Sequence, residues 1–169
     1  MCIALDTSGS ICGRQWYLGP CANFNTTVSF STEVVEAVEV YNVTKEFSIV
    51  QWSFSAYATQ ALSSATDTKT YLSNSIDYRG GNTNTAAAIA TCQDLFASSP
   101  PGRTNVILLV TDGVPTTGGT QSSSPTQAAL AEADSAKGDG TFIIPFFIEN
   151  NAPPSASDLM CSLSSNVCD

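Results

Sequence analysis

The fold follows from one short segment, CIALDTSGS at residues 2–10. Residues 3–5 are apolar and are predicted to form a buried strand. One carboxylate and two hydroxyls, from Asp6, Ser8 and Ser10, come directly after it and therefore lie at its carboxyl end. Ligands bind at this edge of an open parallel sheet. Three oxygen donors on one glycine-containing turn suit a hard cation such as Mg²⁺, so we expect the rest of the chain to supply further ligands and a scaffold.

Two later segments carry the same kind of signal. Residues 105–110, NVILLV, form a near-continuous apolar run, which is typical of a parallel strand buried on both faces. This run leads into Asp112, a second carboxylate at the end of a strand. Residues 80–85, GGNTNT, precede a predicted helix at 86–96 and lack the Lys-[Ser/Thr] ending of a phosphate-binding loop. We expect Asp112 and Thr83 to reach the same edge as the first segment.

The remaining elements alternate between strands and helices. The predicted strands are 47–54, 59–65 and 141–148, and the predicted helices are 32–41, 69–76, 126–137 and 156–163. This order predicts an α/β fold with a doubly wound, mostly parallel central sheet flanked by helices. The segment 59–65 is expected to be an antiparallel edge strand. Pro145 removes a ladder hydrogen bond, so the strand 141–148 is expected to lie near an edge or to be bulged.

The helix predicted at 32–41 is amphipathic. Ser31 or Thr32 is expected to cap it. Its apolar face is predicted to contain Val34, Val35, Val38 and Tyr41, and its solvated face Glu33, Glu36 and Glu39.

Composition narrows the class of protein. A chain of 169 residues with 43% hydrophobic and 12% charged residues is expected to be one globular domain. The net charge of -9 argues against nucleic acid and anionic membranes as partners, although acidity can also serve solubility alone. No apolar run approaches the ~20 residues that span a bilayer, so no membrane insertion is expected. No signal peptide is predicted, because strand-like residues follow Met1 at once.

Six cysteines and no histidine favour disulfides over a zinc site, because no C-x-x-C pair is present. Cys12 and Cys21 are expected to close a small surface loop. The other four cysteines, Cys2, Cys92, Cys161 and Cys168, allow three connectivities, and Cys161 is expected to pair with Cys168 or with Cys2. Two N-x-[ST] sequons at Asn25 and Asn42 predict glycosylation. We therefore expect a secreted or surface-displayed protein.

Three motifs together resemble the von Willebrand factor type A domain. They are D-x-S-x-S from Asp6, G-G-x-T-x-T-x-x-A-I at 80–89 and L-V-T-D-G at 109–113, and the likeness extends over residues 2–148. The resemblance implies a Rossmann-like single domain over 1–169 with a metal-ion-dependent adhesion site (MIDAS). In that site Ser8 and Ser10 would bind Mg²⁺ directly, with Mn²⁺ and Ca²⁺ as alternatives. Asp6 and Asp112 would act through waters or as alternating ligands, and Thr83 in the ligand-bound state.

The implied partner is a protein or glycan that offers a carboxylate to the cation, because Mg²⁺ keeps waters that an incoming oxygen can replace. Further ligand contacts are expected from Trp16, Tyr17, Asn82, Thr85 and Gly113. Trp16 and Tyr17 can equally pack onto the base of their own loop, and Thr85 is expected to serve mainly as a helix cap. No last strand or final amphipathic helix is recognisable after residue 160, so the domain is expected to lack its last helix or to be cut short.

Three classes of function remain at this stage. The leading one is an extracellular adhesion or ligand-binding module, which the resemblance implies to be one module of a longer chain or assembly. The alternative is a structural component of a matrix, cell wall or filament, in which the metal only stabilises the fold. An enzyme is not expected, because no histidine is present and no Ser or Cys has an evident activating partner.

Overall fold

The computed structural model describes residues 1–18, 21–119, 123–148 and 154–166, without the side chains of 14–18 and 154. The strands are β1 (Cys2–Asp6), β2 (Phe47–Trp52), β3 (Ala56–Ser63), β4 (Val106–Thr111) and β5 (Phe142–Phe147). The helices are α1 (Ala22–Glu39), α2 (Ala65–Asn74), α3 (Thr85–Ala97), α4 (Pro125–Gly138) and α5 (Pro154–Leu163), with a 3₁₀ segment at Gly9–Leu18. None of the described helices is long and apolar enough to cross a membrane.

The sheet has the order β3-β2-β1-β4-β5, and β1 lies at its centre. Cys2 of β1 is in register with Ser48 of β2 on one side and with Ile107 of β4 on the other, and both pairings are parallel. β4 and β5 are also parallel, whereas β2 and β3 are antiparallel. The predicted fold is therefore confirmed, including the antiparallel edge strand. The carboxyl ends of β1, β2 and β4 meet at one edge of this sheet.

The two faces of the sheet form separate cores, because successive side chains of a strand point to opposite faces. On one face Ala4, Val50 and Leu109 pack with residues of α3, α4 and α5. On the other face Ile3 and Leu108 pack with residues of α1 and α2. Both cores stop short of the carboxyl edge, where the side chains become polar.

Helix α1 differs from the prediction in its start. It begins at Ala22, ten residues before the predicted start, and its N-cap is Cys21, without a side-chain cap from Ser31 or Thr32. Thr27 and Ser31 occupy its buried face, where their hydroxyls donate to the carbonyls of Phe24 and Thr27. Because these bonds satisfy the buried hydroxyls within the helix, polar residues stand where the sequence pattern requires apolar ones.

The predicted apolar face of α1 is only partly correct. Val35 is fully buried and Val34 and Val38 are half-buried, whereas Tyr41 lies beyond the helix and is 67% exposed. Lys45 ends this helix by donating from Nζ to the carbonyls of Val38, Glu39 and Tyr41. The glutamates at 33, 36 and 39 are exposed, as expected for a solvated face.

Strand β5 is an edge strand of the described sheet, as Pro145 predicted. Only part of this strand is buried, because Phe142 and Ile144 are 52% and 43% exposed. Its outer edge is partly paired: the Ile143 amide donates to Ser165 Oγ and the Ser165 amide donates to the Ile143 carbonyl. Together with the missing amide of Pro145, this contact leaves little of the edge open to a further strand.

Disulfides hold the fold at two described places. Cys12 pairs with Cys21, as predicted, and links the 3₁₀ segment to the start of α1. Cys2 pairs with Cys92 and links β1 to α3. Cys161 is also disulfide-bonded, and the Cys2–Cys92 bond excludes the alternative in which it pairs with Cys2. Cys168 lies outside the described residues.

Candidate metal centre

The three predicted motifs meet at the carboxyl edge of the sheet. Asp6 ends β1, Ser8 lies on the turn that follows, and Ser10 is the second residue of the 3₁₀ segment. Asp112 follows β4 directly, and Thr83 lies two residues before α3. Because β1 and β4 are parallel neighbours, their two terminal carboxylates reach the same side of the sheet.

A row of hydrogen bonds connects four of these five side chains. Thr83 Oγ1 donates to Ser8 Oγ at 3.1 Å, and Ser8 Oγ lies 3.0 Å from Ser10 Oγ. Ser10 Oγ donates to Asp112 Oδ1 at 2.8 Å. Because the Ser10 hydroxyl donates to Asp112, the Ser8 hydroxyl is the donor of the bond between Ser8 and Ser10. All three hydroxyl hydrogens therefore point along the row towards the carboxylate.

Asp6 lies behind this row. Its Oδ1 accepts from the Ser8 amide at 2.8 Å, and its Oδ2 accepts from Thr111 Oγ1 at 2.6 Å. Burial raises its pKa to about 7 against the opposing effect of the Thr111 hydrogen bond, and the nearby charge of Asp112 raises it further. A nearby positive charge would lower this pKa again, because it would favour the ionised carboxylate.

The cluster opens in one direction. Asp6, Ser8, Thr83 and Asp112 are buried, whereas Ser10 is exposed. A ligand therefore approaches the cluster from the side of Ser10.

Two glycines hold the second motif against the first. The Gly80 amide donates to the Thr7 carbonyl at 2.8 Å, and the Gly9 amide donates to the Gly81 carbonyl at 2.8 Å. Gly80 and Gly81 have φ angles of 68° and 87°, a left-handed conformation that other residues adopt at a cost. This geometry explains why a pair of glycines precedes Thr83.

The structure adds residues that the motifs did not predict. Thr111 holds Asp6, as described above, and Thr116 holds Thr83: its hydroxyl accepts from the Thr83 amide at 2.9 Å and its amide donates to the Thr83 carbonyl at 2.8 Å. Thr111 directly precedes Asp112, so adjacency was a usable signal. No local signal marked Thr116, which lies 33 residues after Thr83.

Tyr78 is a further residue of the site. Burial raises its pKa, and the carboxylates of Asp112 and Asp6 add to this effect. Its ring packs edge-on against Phe24, with centroids 5.4 Å apart. Its buried hydroxyl has no hydrogen-bond partner within the described ranges.

The expected ligand contacts are placed as follows. Asn82 is exposed beside Thr83, and Gly113 is buried, where a Cβ atom would lie 3.6 Å from Ser10 Oγ. The cap prediction for Thr85 is wrong: Asn84 caps α3 by accepting from the Ala87 amide at 3.1 Å. Thr85 is buried, and its hydroxyl has no hydrogen-bond partner among the described residues.

Other predicted contacts lie elsewhere or are not described. The side chains of Trp16 and Tyr17 are outside the described residues. The sequon asparagines Asn25, on α1, and Asn42, after it, are both exposed.

The chemistry of the donor set fits a hard divalent cation. Every side-chain donor in the cluster is oxygen, and the two carboxylates match a charge of two. Among the residues that the structure describes, no group of three or more His, Cys, Asp or Glu could hold a metal. Any cation held here is therefore held largely by neutral hydroxyls. Neutral ligands leave a cation with more unbalanced positive charge for an incoming anion.

Comparison with protein families gives one assignment. The family model of the von Willebrand factor type A domain matches residues 1–165. No curated protein matches the chain by sequence.

Several solved structures have a similar fold. Proximal thread matrix protein 1 from the mussel byssus aligns with a TM-score of 0.75 and 18% identity, over 97% of this chain and 40% of that one. Another structure of the same protein has a zinc-occupied MIDAS motif. Manganese-loaded TRAP protein from Plasmodium vivax aligns with a TM-score of 0.72 and 15% identity, over 96% of this chain and 60% of that one.

The pilus adhesin SpaC from Lactobacillus rhamnosus GG also aligns, with a TM-score of 0.71 and 13% identity, over 98% of this chain and 27% of that one. The chain thus spans less than two thirds of each of these three proteins. At such low identities the likeness supports the fold alone.

Proposed function

The chain belongs to the von Willebrand factor type A family. On this basis we propose that it is an extracellular ligand-binding module that binds an acidic partner through a divalent cation. Residues 1–169 would form one such domain. The observation that carries the proposal is the continuous row of hydroxyls from Thr83 to Asp112, with Asp6 behind it. The row contains four of the five residues that the motifs nominate as the metal site, and Asp6, the fifth, accepts from the Ser8 amide.

Each residue has a proposed part in cation binding. Ser8 and Ser10 bind directly, since their hydroxyls lie at the centre of the row. Asp6 and Asp112 balance the charge, and Thr83 completes the set on the side of α3. A bound cation supplies an electrophilic position for a carboxylate oxygen of the partner. Thr111 and Thr116 position Asp6 and Thr83 through the hydrogen bonds described above.

Magnesium is the proposed ion, because all the side-chain donors are hard oxygens and the site faces solvent that can complete its coordination. The similar structures bear on the metal in two cases, with zinc in the thread matrix protein and manganese in TRAP. Mn²⁺ and Zn²⁺ are therefore included as competitors in the test.

The test is a calorimetric titration of EDTA-stripped protein with Mg²⁺, Mn²⁺, Ca²⁺ and Zn²⁺. We expect one site in the wild type and none in Asp112→Asn, which loses a carboxylate of the cluster. Asp94→Asn is the matched control, because Asp94 is exposed on α3. Equal binding by the wild type and Asp112→Asn would place the cation elsewhere and overturn the assignment.

Binding, and not catalysis, is the proposed activity. The chain contains no histidine, so the serines of the cluster lack the base that activates a nucleophile in many hydrolases. Turnover of a phosphoester or glycoside by wild-type protein, lost in Asp112→Asn, would contradict this part of the proposal.

A structural role in a matrix or filament is the second candidate. Its supporting observations are the thread matrix protein among the similar structures and the disulfides Cys2–Cys92 and Cys12–Cys21. On this alternative, EDTA lowers the melting temperature without preventing assembly. Sedimentation of the protein with and without EDTA distinguishes the two candidates. An assembly that persists in EDTA supports the structural role, whereas a binding module loses its partner when the cation is removed.

A further inference from the structure

One basic side chain at the carboxyl edge, that of Arg79, differs from the other basic side chains that the structure describes. The other lysines and arginines with described side chains bind protein oxygens: Lys69 binds Glu39, Arg103 binds Glu46, Lys137 binds Asp134, and Lys45 binds three carbonyls. Arg79 makes no described ion pair or hydrogen bond. Its guanidinium instead lies over the ring of Tyr57, with Cζ 4.9 Å from the ring centroid.

Arg79 and Tyr57 stand beside the first motif. Arg79 directly precedes Gly80, whose amide donates to the Thr7 carbonyl. Tyr57 opposes Gln51 in the sheet, and the next residue, Trp52, accepts from both the amide and the hydroxyl of Thr7. Thr7 is therefore hydrogen-bonded to Gly80, which follows Arg79, and to Trp52, which pairs with the residue before Tyr57.

An exposed apolar side chain lies at the same carboxyl edge of the sheet. Phe54 is 64% exposed on the turn between β2 and β3, and Tyr57 is 49% exposed. The Phe54 carbonyl accepts from Asn84 Nδ2 at 3.0 Å, and Asn84 directly follows Thr83. Phe54, Tyr57 and Arg79, which we call the rim platform, thus flank the candidate metal centre.

We propose that the rim platform is a second anchor for the partner, and that the partner is an acidic peptide with two carboxylates. One carboxylate meets the cation, and the second meets the guanidinium of Arg79. This inference rests on the proposed function, because it assumes cation-dependent binding at the cluster. A peptide can offer two carboxylates together with an apolar side chain for the exposed ring of Phe54.

The chemistry of the pair suits this role. Tyr57 covers one face of the guanidinium, whereas the N–H donors lie in the plane of the group and remain available to an anion. Arginine binds carboxylates through two parallel hydrogen bonds. The net charge of -9 repels an acidic peptide elsewhere on the surface, so a positive group beside the cation selects where such a peptide docks.

The probes are acetylated and C-terminally amidated peptides with two aspartates separated by one, two or three leucines, each matched by a peptide with asparagine in place of the second aspartate. Their affinities are measured by fluorescence anisotropy in saturating Mg²⁺. In the wild type we expect a two-aspartate peptide to bind about tenfold more tightly than its matched peptide. Arg79→Gln is expected to remove this difference and leave the affinity for the one-aspartate peptide unchanged.

Arg103→Gln is the matched control, because it removes the same charge at the opposite edge of the sheet. Two readouts do not depend on peptide affinity. The calorimetric affinity for Mg²⁺ is expected to be the same in Arg79→Gln and the wild type, and the Nε–H resonance of Arg79 is expected to shift only with the two-aspartate peptide. An unchanged melting temperature establishes that the variant folds.

The outcomes separate this inference from the function beneath it. Cation-dependent binding that is equal for both peptides, or equal in Arg79→Gln and the wild type, overturns the second anchor alone. Cation-dependent binding of an anionic glycan that requires Arg79, with no binding of the peptides, overturns the assignment to a peptide. Absence of binding by any probe to the cation-loaded protein overturns both the anchor and the proposed ligand.

Discussion

Charged side chains are arranged differently at the two ends of the parallel strands, which we call the carboxyl edge and the amino edge of the sheet. At the carboxyl edge, Asp6 and Asp112 are buried near one another, and the described groups that donate to them are hydroxyls and an amide. At the amino edge, where the parallel strands begin, Arg103 and Glu46 form an ion pair whose side chains are about one-third exposed, beside a cavity of about 460 Å³. Nearby, the Cys2–Cys92 disulfide links β1 to α3.

This difference separates contacts that stabilise the fold from the candidate metal centre within one sheet. The amino edge is completed by covalent and ionic contacts within the chain. The carboxyl edge contains two buried like charges, and such an arrangement is costly unless an opposite charge is supplied. A folded domain keeps such an edge only if the other edge and the core supply enough stability. Four measurements test this division.

The largest effect is expected from the amino edge. Replacing both Cys2 and Cys92 by serine opens a loop with a sequence separation of 90, which corresponds to about 4.6 kcal/mol of chain entropy. The same change at Cys12 and Cys21, with a separation of 9, corresponds to about 2.7 kcal/mol. Urea unfolding of both variants checks the order. Equal losses would mean that loop length does not govern these bonds.

The second effect is a change of sign at the carboxyl edge. Without a cation, Asp6→Asn is expected to stabilise the fold, because it removes a buried charge near Asp112. With Mg²⁺ at a hundred times its dissociation constant, the wild type gains about 2.7 kcal/mol that the variant does not gain. Melting curves with and without Mg²⁺ measure both. A variant that is less stable than the wild type in EDTA would contradict the assigned charge repulsion.

The third effect is a dependence on pH in cation-free protein. The pKa of Asp6 is about 7 in the fold and 3.8 in the unfolded chain, so the folded state binds its proton more tightly. Its contribution to stability is full below pH 3.8 and is lost as the pH rises through 7. The Thr111 and Ser8 hydrogen bonds oppose this loss, because they stabilise the charged form of the carboxyl group.

Urea unfolding between pH 4 and 8 in EDTA measures this loss, and saturating Mg²⁺ is expected to reduce it. Asp6→Asn is the control, because it removes the titrating group. If the stability of the wild type and of Asp6→Asn depended on pH in the same way in EDTA, Asp6 would not be the source of the pH dependence.

The smallest effect is expected from the ion pair of the amino edge. Arg103→Gln should change the free energy of unfolding by less than about 1 kcal/mol, because both partners are about one-third exposed and water screens the pair. The affinity for Mg²⁺ should not change. A loss larger than that of the Cys12 and Cys21 variant would show that this ion pair, and not the disulfide, completes the edge.

Most elements could be read from local sequence. The predicted bounds were within a few residues of the observed ones for the apolar strands β1 and β4 and for the alanine-rich helices α3 and α4. Helix α1 could not be bounded in this way, because Thr27 and Ser31 are buried and satisfy their hydroxyls with carbonyls of the same helix. Strand β5 is as apolar as β4, and only its place at the edge leaves Phe142 and Ile144 exposed.

By itself, the sequence determined the fold family and nominated five metal-site residues, because each motif is a short run of residues whose types are fixed by local backbone and chemistry. Only the tertiary structure decided which distant groups support them, with Thr111 on Asp6 and Thr116 on Thr83. It also placed Arg79 over Tyr57. The sequence left the partner of Cys2 open, and the fold gave it to Cys92. The physical reason is the same in each case. These contacts join residues 22 to 105 positions apart, and packing, not local pattern, brings them within reach.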